Sequence, residues 1–215
     1  MVKKLTEEKA LELISSTEAL HEGHFVLASG LHSGHFVSKD DVSTIPDVLE
    51  QLAHDIAEYF WETYPEVVAA PAVGAIALGN RVAENRGLLT RSIFAEQEGD
   101  KFVFRRGYSR LIQAGTKVLV VEDVITTGKT TRAMIEAVNE LGGKVVGVGL
   151  IWNRGQEDFE VPVFACVNKA FPNFDPEKCP LCCEGIPIDT QVNKHGQEFL
   201  DKYEEDPAGW PANRK

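Results

Sequence analysis

Apolar positions recur along the chain with two different periods, and the change of period marks the elements. Over 6–20, apolar Ala10, Leu11, Ile14 and Leu20 follow a cluster of acidic residues. Helical spacing behind an acidic first turn predicts an amphipathic helix. The stretch "HFVLASGLHSGHFVS" (24–38) places two β-prone runs around a Ser-Gly-rich turn and predicts a hairpin. Pro46 opens a second helix with Leu49, Leu52, Ala53, Ile56 and Phe60 on one face, ended by Pro65.

Beyond Pro65, strand and helix signals alternate. "VVAA" (67–70) reads as a short buried strand, followed by the turn Pro71-Ala72-Val73-Gly74 and a small-residue helix over roughly 75–84. "SIFAE" and "KFVFRR" flank Gly99-Asp100, a strong hairpin signal. "KVLVVE" (117–122) is apolar without alternation, as in a strand covered on both faces. A helix over about 130–141 follows, ended by Gly142-Gly143, and then the strands "KVVGVGLIW" and "VPVFACV" (161–167). This βαβ succession predicts an α/β fold with a parallel sheet flanked by helices. After Asn168 the chain becomes polar and proline-rich; "GQEFLDKYEE" is expected to form one or two helical turns, and "DPAGWPANRK" to be a poorly ordered tail.

Composition narrows the partners. With 215 residues, 43% hydrophobic and 26% charged, the chain suits one globular domain. A formal net charge of -11 argues against nucleic acid as a main partner, since duplex binding uses basic surface. An anionic ligand must therefore be held by local amides and a few cations. No apolar run is long enough to span a bilayer and no signal peptide is evident, so no membrane partner and a cytoplasmic location are expected.

The chemistry centres on "VLVVEDVITTGKT" (118–130). Its Gly-Lys-Thr matches the end of a nucleotide-binding P-loop, but the first glycine of that motif would fall at 123, which is Asp. What remains is a buried strand ending in Glu122 and Asp123, a threonine- and glycine-rich loop, and a helix start. The loop Thr126-Thr127-Gly128-Lys129-Thr130 suits an anion through free amides and the helix dipole. The two carboxylates would repel phosphate but accept hydrogen bonds from sugar hydroxyls. A ribose 5-phosphate satisfies both.

These residues resemble the 5-phosphoribosyl-1-pyrophosphate (PRPP) signature of the type I phosphoribosyltransferases. Further motifs resemble the orotate phosphoribosyltransferase family: "GHFVLASGLHSGHF" its N-terminal hood, "APAVGAIALG" its pyrophosphate loop (Ala72, Val73, Gly74), and "FAEQEGDKFVFRRGY" its mobile loop. "LIWNRG" and "CPLCCEGIPI" match its orotate arginine, Arg154, and a C-terminal motif of a bacterial branch. A guanidinium suits orotate, which differs from uracil by a carboxylate. The resemblance implies a single domain over 1–188, with a hood from about 1–40 and 160–188, and a polar tail over 189–215. It implies transfer of ribose 5-phosphate from PRPP to orotate, giving orotidine 5′-monophosphate and pyrophosphate in pyrimidine biosynthesis. Magnesium would be bound with PRPP, and the enzyme would be a homodimer with shared active sites.

Under this resemblance Glu122, Asp123, Val124, Ile125, Thr126, Thr127, Gly128, Lys129 and Thr130 bind PRPP, while Thr126 and Arg154 contact orotate. Lys101 and Asp123 are the catalytic candidates, with Arg105 and Arg106 behind Lys101. Departures from the family pattern include Ala28 before the hood Ser-Gly, Val73-Gly74 where some members carry an aromatic-lysine pair, and Glu122 for a commoner aspartate. Two other readings stay open: a phosphoribosyltransferase for another base, and a non-enzymatic PRPP-sensing regulator. Cys179 and Cys182 have half of a zinc-site spacing, which His195 or a partner subunit would complete; a structural thiol turn is the plainer reading. His21, His24, His32 and His35 are expected to be mostly structural or solvent-facing.

Overall fold

The computed structural model describes residues 5–205 except 28, 88, 156 and 157. The chain divides into two units. The larger comprises the N-terminal stretch up to Thr17 together with Lys39–Ala170, and the smaller comprises Glu18–Ser38 with the chain from Phe171 onward.

The larger unit is built on a six-stranded sheet. Its strands are β3 (Val67–Pro71), β4 (Arg91–Glu98), β5 (Lys101–Val103), β6 (Lys117–Ile125), β7 (Lys144–Asn153) and β8 (Val163–Asn168), in the spatial order β5-β4-β3-β6-β7-β8. All neighbours are parallel except β4 and β5, the hairpin about Gly99-Asp100. Helices α1 (Glu7–Ser15), α2 (Lys39–Thr44), α3 (Pro46–Tyr59), α4 (Ile76–Arg86) and α5 (Lys129–Glu140) complete the unit.

Alternation along β6 assigns its faces. Val118 and Val120 share a buried cluster with Met134 and Val138 of α5 and with Val148 and Leu150 of β7. The opposite face receives α3 and α4: a Cβ on Gly149 would meet Ile56, one on Gly147 would meet Phe60, and one on Gly79 would meet Ala70 and Val121. Glycine in β7 thus lets α3 approach its backbone closely. The expected apolar face of α3 is buried throughout, including Leu49, Leu52, Ala53, Ile56 and Phe60.

Several boundaries move. The first helix stops at Ser15 rather than running to Leu20, because Glu18 takes a left-handed φ of 59° that a helix cannot continue through. Leu20 instead opens β1 (Leu20–Val26), four residues ahead of the expected hairpin. Helix α3 ends at Tyr59, before Pro65, with a short 3-10 turn over Trp61–Thr63 between them. Strand β6 continues past the carboxylates to Ile125, since β7 pairs with it as far as Ile125–Asn153.

In the smaller unit, β1 pairs antiparallel with β2 (His32–Val37), and β2 with the two-residue β9 (Asn173–Phe174). Two helices follow, α6 (Pro180–Cys183) and α7 (Lys194–Glu205). The twelve residues of α7 exceed the one or two turns expected. The "DPAGWPANRK" segment and Ala28 lie outside the described residues. No described helix is long and apolar enough to cross a membrane.

Candidate active site

The strand order reverses between β3 and β6. From β3 the chain moves outward through α4 to β4, and from β6 it moves the other way through α5 to β7. In open α/β sheets ligands bind beyond the carboxyl ends of the strands at such a point. Both predicted phosphate loops are located there.

Beyond β3, Ala72 donates its amide to Ala95 O at 2.8 Å, and the Ala72–Val73 peptide is cis. Val73 is 80% exposed, and the turn enters α4 at Ile76. Beyond β6, Thr126 and Thr127 are exposed and Gly128 takes the left-handed φ of 69° that starts α5. Glycine adopts this conformation without a side-chain penalty. Neither α4 nor α5 has a side-chain cap or an acidic residue in its first turn. Their N-terminal amides therefore remain suited to an anion.

Glu122 and Asp123 do not form one side-by-side pair. Both lie inside β6 and are buried, at 7% and 5% exposure, and strand alternation sends them to opposite faces of the sheet. Glu122 faces α5, where it accepts a hydrogen bond from the hydroxyl of fully buried Thr131. Asp123 Oδ1 accepts from the Val124 amide at 2.7 Å. Val124 and Ile125 complete the strand opposite Trp152 and Asn153.

Arg154 lies at the mouth of the same loop. Its amide donates to Ile125 O at 2.8 Å, directly before Thr126. The guanidinium is half-buried, and that burial lowers its pKa from the ordinary arginine value. A desolvated cation gains from an anionic partner.

The hairpin cations have other partners. Lys101 Nζ sits 3.4 Å from Glu140 Oε1, Arg105 bonds Glu98, and Arg106 Nε is 2.9 Å from Glu96 Oε1. Glu140 is the last residue of α5, whereas the phosphate loop meets the first. Lys129 Nζ pairs with Asp100 Oδ1 at 2.7 Å, and this hydrogen bond holds the Asp100 carboxyl below its usual range.

Cys179 and Cys182 converge with His24 and His32, all four buried. His195 is elsewhere, bonded to Glu198 at 3.0 Å. Of the hood histidines, His24 and His32 are buried, and their ring nitrogens face the two thiols. His35 stacks on Phe171. Sequence reasoning also missed Thr131 as the partner of Glu122. Its place in the first turn of α5, beside the strand that holds the carboxylate, was the available signal.

Residues 40–173 match the family described as phosphoribosyl transferase domain. An orotate phosphoribosyltransferase of Caldanaerobacter subterraneus is 40% identical over 86% of this chain and 96% of its own. One from Caldicellulosiruptor bescii is 42% identical over the same shares. Among solved structures, Mycobacterium tuberculosis orotate phosphoribosyltransferase superposes with a TM-score of 0.60 at 22% identity, covering 74% of this chain and 95% of that one. Adenine phosphoribosyltransferase from Rhodothermus marinus reaches 0.57 at 23% identity, covering 74% and 98%. Those two likenesses concern the fold alone. With the domain match and the curated relatives, they establish that this chain belongs to the phosphoribosyltransferase family, on its orotate phosphoribosyltransferase branch.

Proposed function

We propose that the chain catalyses transfer of ribose 5-phosphate from PRPP to orotate, giving orotidine 5′-monophosphate and pyrophosphate in UMP synthesis. The observation that carries this reading is the switch-point arrangement: two uncapped helix N-termini, two buried carboxylates in β6, and Arg154, whose amide is hydrogen-bonded to Ile125, the last residue before the loop.

In the reaction a bond forms between the ribose anomeric carbon and the orotate ring nitrogen, which gives up its proton. The carbon–oxygen bond to pyrophosphate breaks, and its electron pair leaves with that group. The amides and hydroxyls of Thr126–Thr130 hold the 5′-phosphate, with Lys129 contributing charge. Asp123 accepts hydrogen bonds from the ribose hydroxyls, and Glu122, oriented by Thr131, assists from the opposite face. Ala72, Val73 and Gly74 present amides to pyrophosphate. Arg154 and Thr126 contact orotate, the guanidinium engaging its carboxylate.

Among the described residues no three carboxylates converge, and Glu122 and Asp123 are the carboxylates of the strand that leads into the loop. That donor set suits a magnesium ion carried in on substrate oxygens rather than an all-protein cage. When bound, magnesium supplies charge neutralisation to the departing pyrophosphate. Lys101, Arg105 and Arg106 add to it by exchanging their carboxylate partners for the leaving group. Those ion pairs are exposed and contribute only about 0–1 kcal/mol each, so the exchange costs little. A cytoplasmic homodimer, with the hairpin reaching the partner's site, belongs to the same reading.

A second reading, another nucleobase, is kept because the fold is shared with adenine enzymes. The deciding experiment follows orotate consumption by absorbance with PRPP and magnesium, with adenine and uracil as competing bases. Wild type is expected to use orotate, and Arg154→Ala to lose roughly 10²–10³-fold in kcat/KM, as when a charge-assisted pair is removed. Turnover of adenine by both proteins would move the assignment to a purine. PRPP binding without any turnover would indicate a sensor.

A further inference from the structure

We propose that His24, His32, Cys179 and Cys182 form a structural zinc site, independent of the transferase chemistry. The ligand atoms lie within 4.8 Å of one another. His24 Nε2 is 2.9 Å from His32 Nδ1 and 3.7 Å from each of Cys179 Sγ and Cys182 Sγ, while Cys182 Sγ is 3.4 Å from His32 Nδ1. A tetrahedral ion with Zn–N of about 2.0–2.1 Å and Zn–S of about 2.3 Å requires about 3.3 Å between nitrogens and about 3.5 Å between nitrogen and sulfur. The four distances just given differ from these values by only a few tenths of an ångström.

The surrounding hydrogen bonds favour ligation. His24 Nδ1 is 2.7 Å from Ile186 O, and a carbonyl can only accept, so that nitrogen carries the proton. The lone pair of Nε2 then points at the thiols. This outward bond to a carbonyl is the usual way a metal-binding imidazole is oriented. Pro180 starts the turn between the cysteines, and the Cys183 amide closes it on Cys179 O at 3.2 Å. The ring of Phe199 from α7 packs edge-on against His32, with centroids 4.8 Å apart.

The four residues are 1%, 0%, 0% and 5% exposed in chain order, which leaves no open coordination position for a substrate or catalytic water. A closed two-histidine, two-cysteine set is the donor pattern of structural zinc. On binding, each thiol releases one proton to solvent. Two thiolates and two neutral imidazoles then cancel the ion's charge, so the buried centre is neutral.

The site also has a mechanical consequence. His24 belongs to the β1–β2 hairpin, and Cys179 lies 155 residues further along the chain. The backbone pairing that joins these segments through β9 involves only His32–Phe174 and Ser33–Asn173. The metal adds a covalent-strength tie between distant segments of a small unit, where apolar burial is limited.

The test uses the full chain, expressed untagged in zinc-supplemented medium and kept reduced. Elemental analysis is expected to find about one zinc per chain. Exchange with cobalt(II) should produce the visible bands of a tetrahedral thiolate–imidazole centre, and chelation should lower the melting temperature by roughly 5–10 °C. The double variant Cys179→Ser/Cys182→Ser should lose the metal, whereas Cys183→Ser and His195→Ala should keep it. Should the double variant fail to fold, wild-type stoichiometry and the cobalt spectrum decide. Wild-type protein with neither zinc nor cobalt bands overturns the proposal, as does zinc retained in a folded double variant.

Discussion

Replacing Gly147 by alanine tests the packing that places β7, the strand leading into Arg154. The new Cβ would stand 2.2 Å from Phe60 Cε1, 2.8 Å from Cζ and 2.9 Å from Cδ1. Carbon atoms in contact sit at about 3.5–4.0 Å, so the ring would have to retreat by more than about 1 Å. Phe60 is 1% exposed and packs edge-on to Tyr59 with centroids 4.9 Å apart, while Gly147 is held in register opposite Leu119. Neither side yields cheaply, so the cost belongs near the upper end of overpacking, about 3 kcal/mol. For a chain of this size that is a fall of roughly 6–12 °C in melting temperature. Circular dichroism melts and urea titrations of Gly147→Ala, Phe60→Leu and the double variant provide the assay. The two changes should couple, the double variant being more stable than the sum of the single effects by about 1 kcal/mol or more. A Gly147→Ala protein within about 0.5 kcal/mol of wild type, or strict additivity, would refute this account of α3 against β7.

The remaining predictions concern chemistry. Thr131→Val removes the hydroxyl that Glu122 accepts from; we expect kcat to drop roughly 10–100-fold, matching about 1.5–3 kcal/mol for a hydrogen bond to a charged group. Unchanged steady-state kinetics would show that the Thr131 hydroxyl does not position Glu122 for the reaction. Lys101→Ala should lower kcat with little effect on stability, because its ion pair with Glu140 is exposed; a large loss in the melt with normal kcat would assign it a structural role instead. If the hairpin serves the partner's site, mixing Lys101→Ala with Arg154→Ala subunits should restore about a quarter of wild-type activity through hybrid dimers, and no recovery would mean that each chain uses its own hairpin.

Local chemistry was legible from the sequence wherever it followed from neighbouring residues. The unalternating run 117–122 announced a strand covered on both faces, and Gly99-Asp100 announced the β4–β5 hairpin. Asp123 in place of a P-loop glycine was enough to set aside a nucleotide-triphosphate loop, and the threonines and Gly128 after it suggested a ribose-phosphate cradle instead. Pairing across the sheet is not encoded in such neighbourhoods. Because β7 continues the ladder to Asn153, β6 runs three residues further than its apolar run suggests, and Glu122 and Asp123 part to opposite faces. The same pairing brings the Arg154 amide to Ile125 O. In the smaller unit, hairpin register and a chain reversal gather His24 and His32 with Cys179 and Cys182, and periodicity has no means of reporting a contact between residues 155 positions apart. Sequence alone determined the α/β succession of elements and pointed to a phosphate loop after β6; tertiary structure decided the boundaries and which side chains meet, because contact depends on register and crossover rather than spacing.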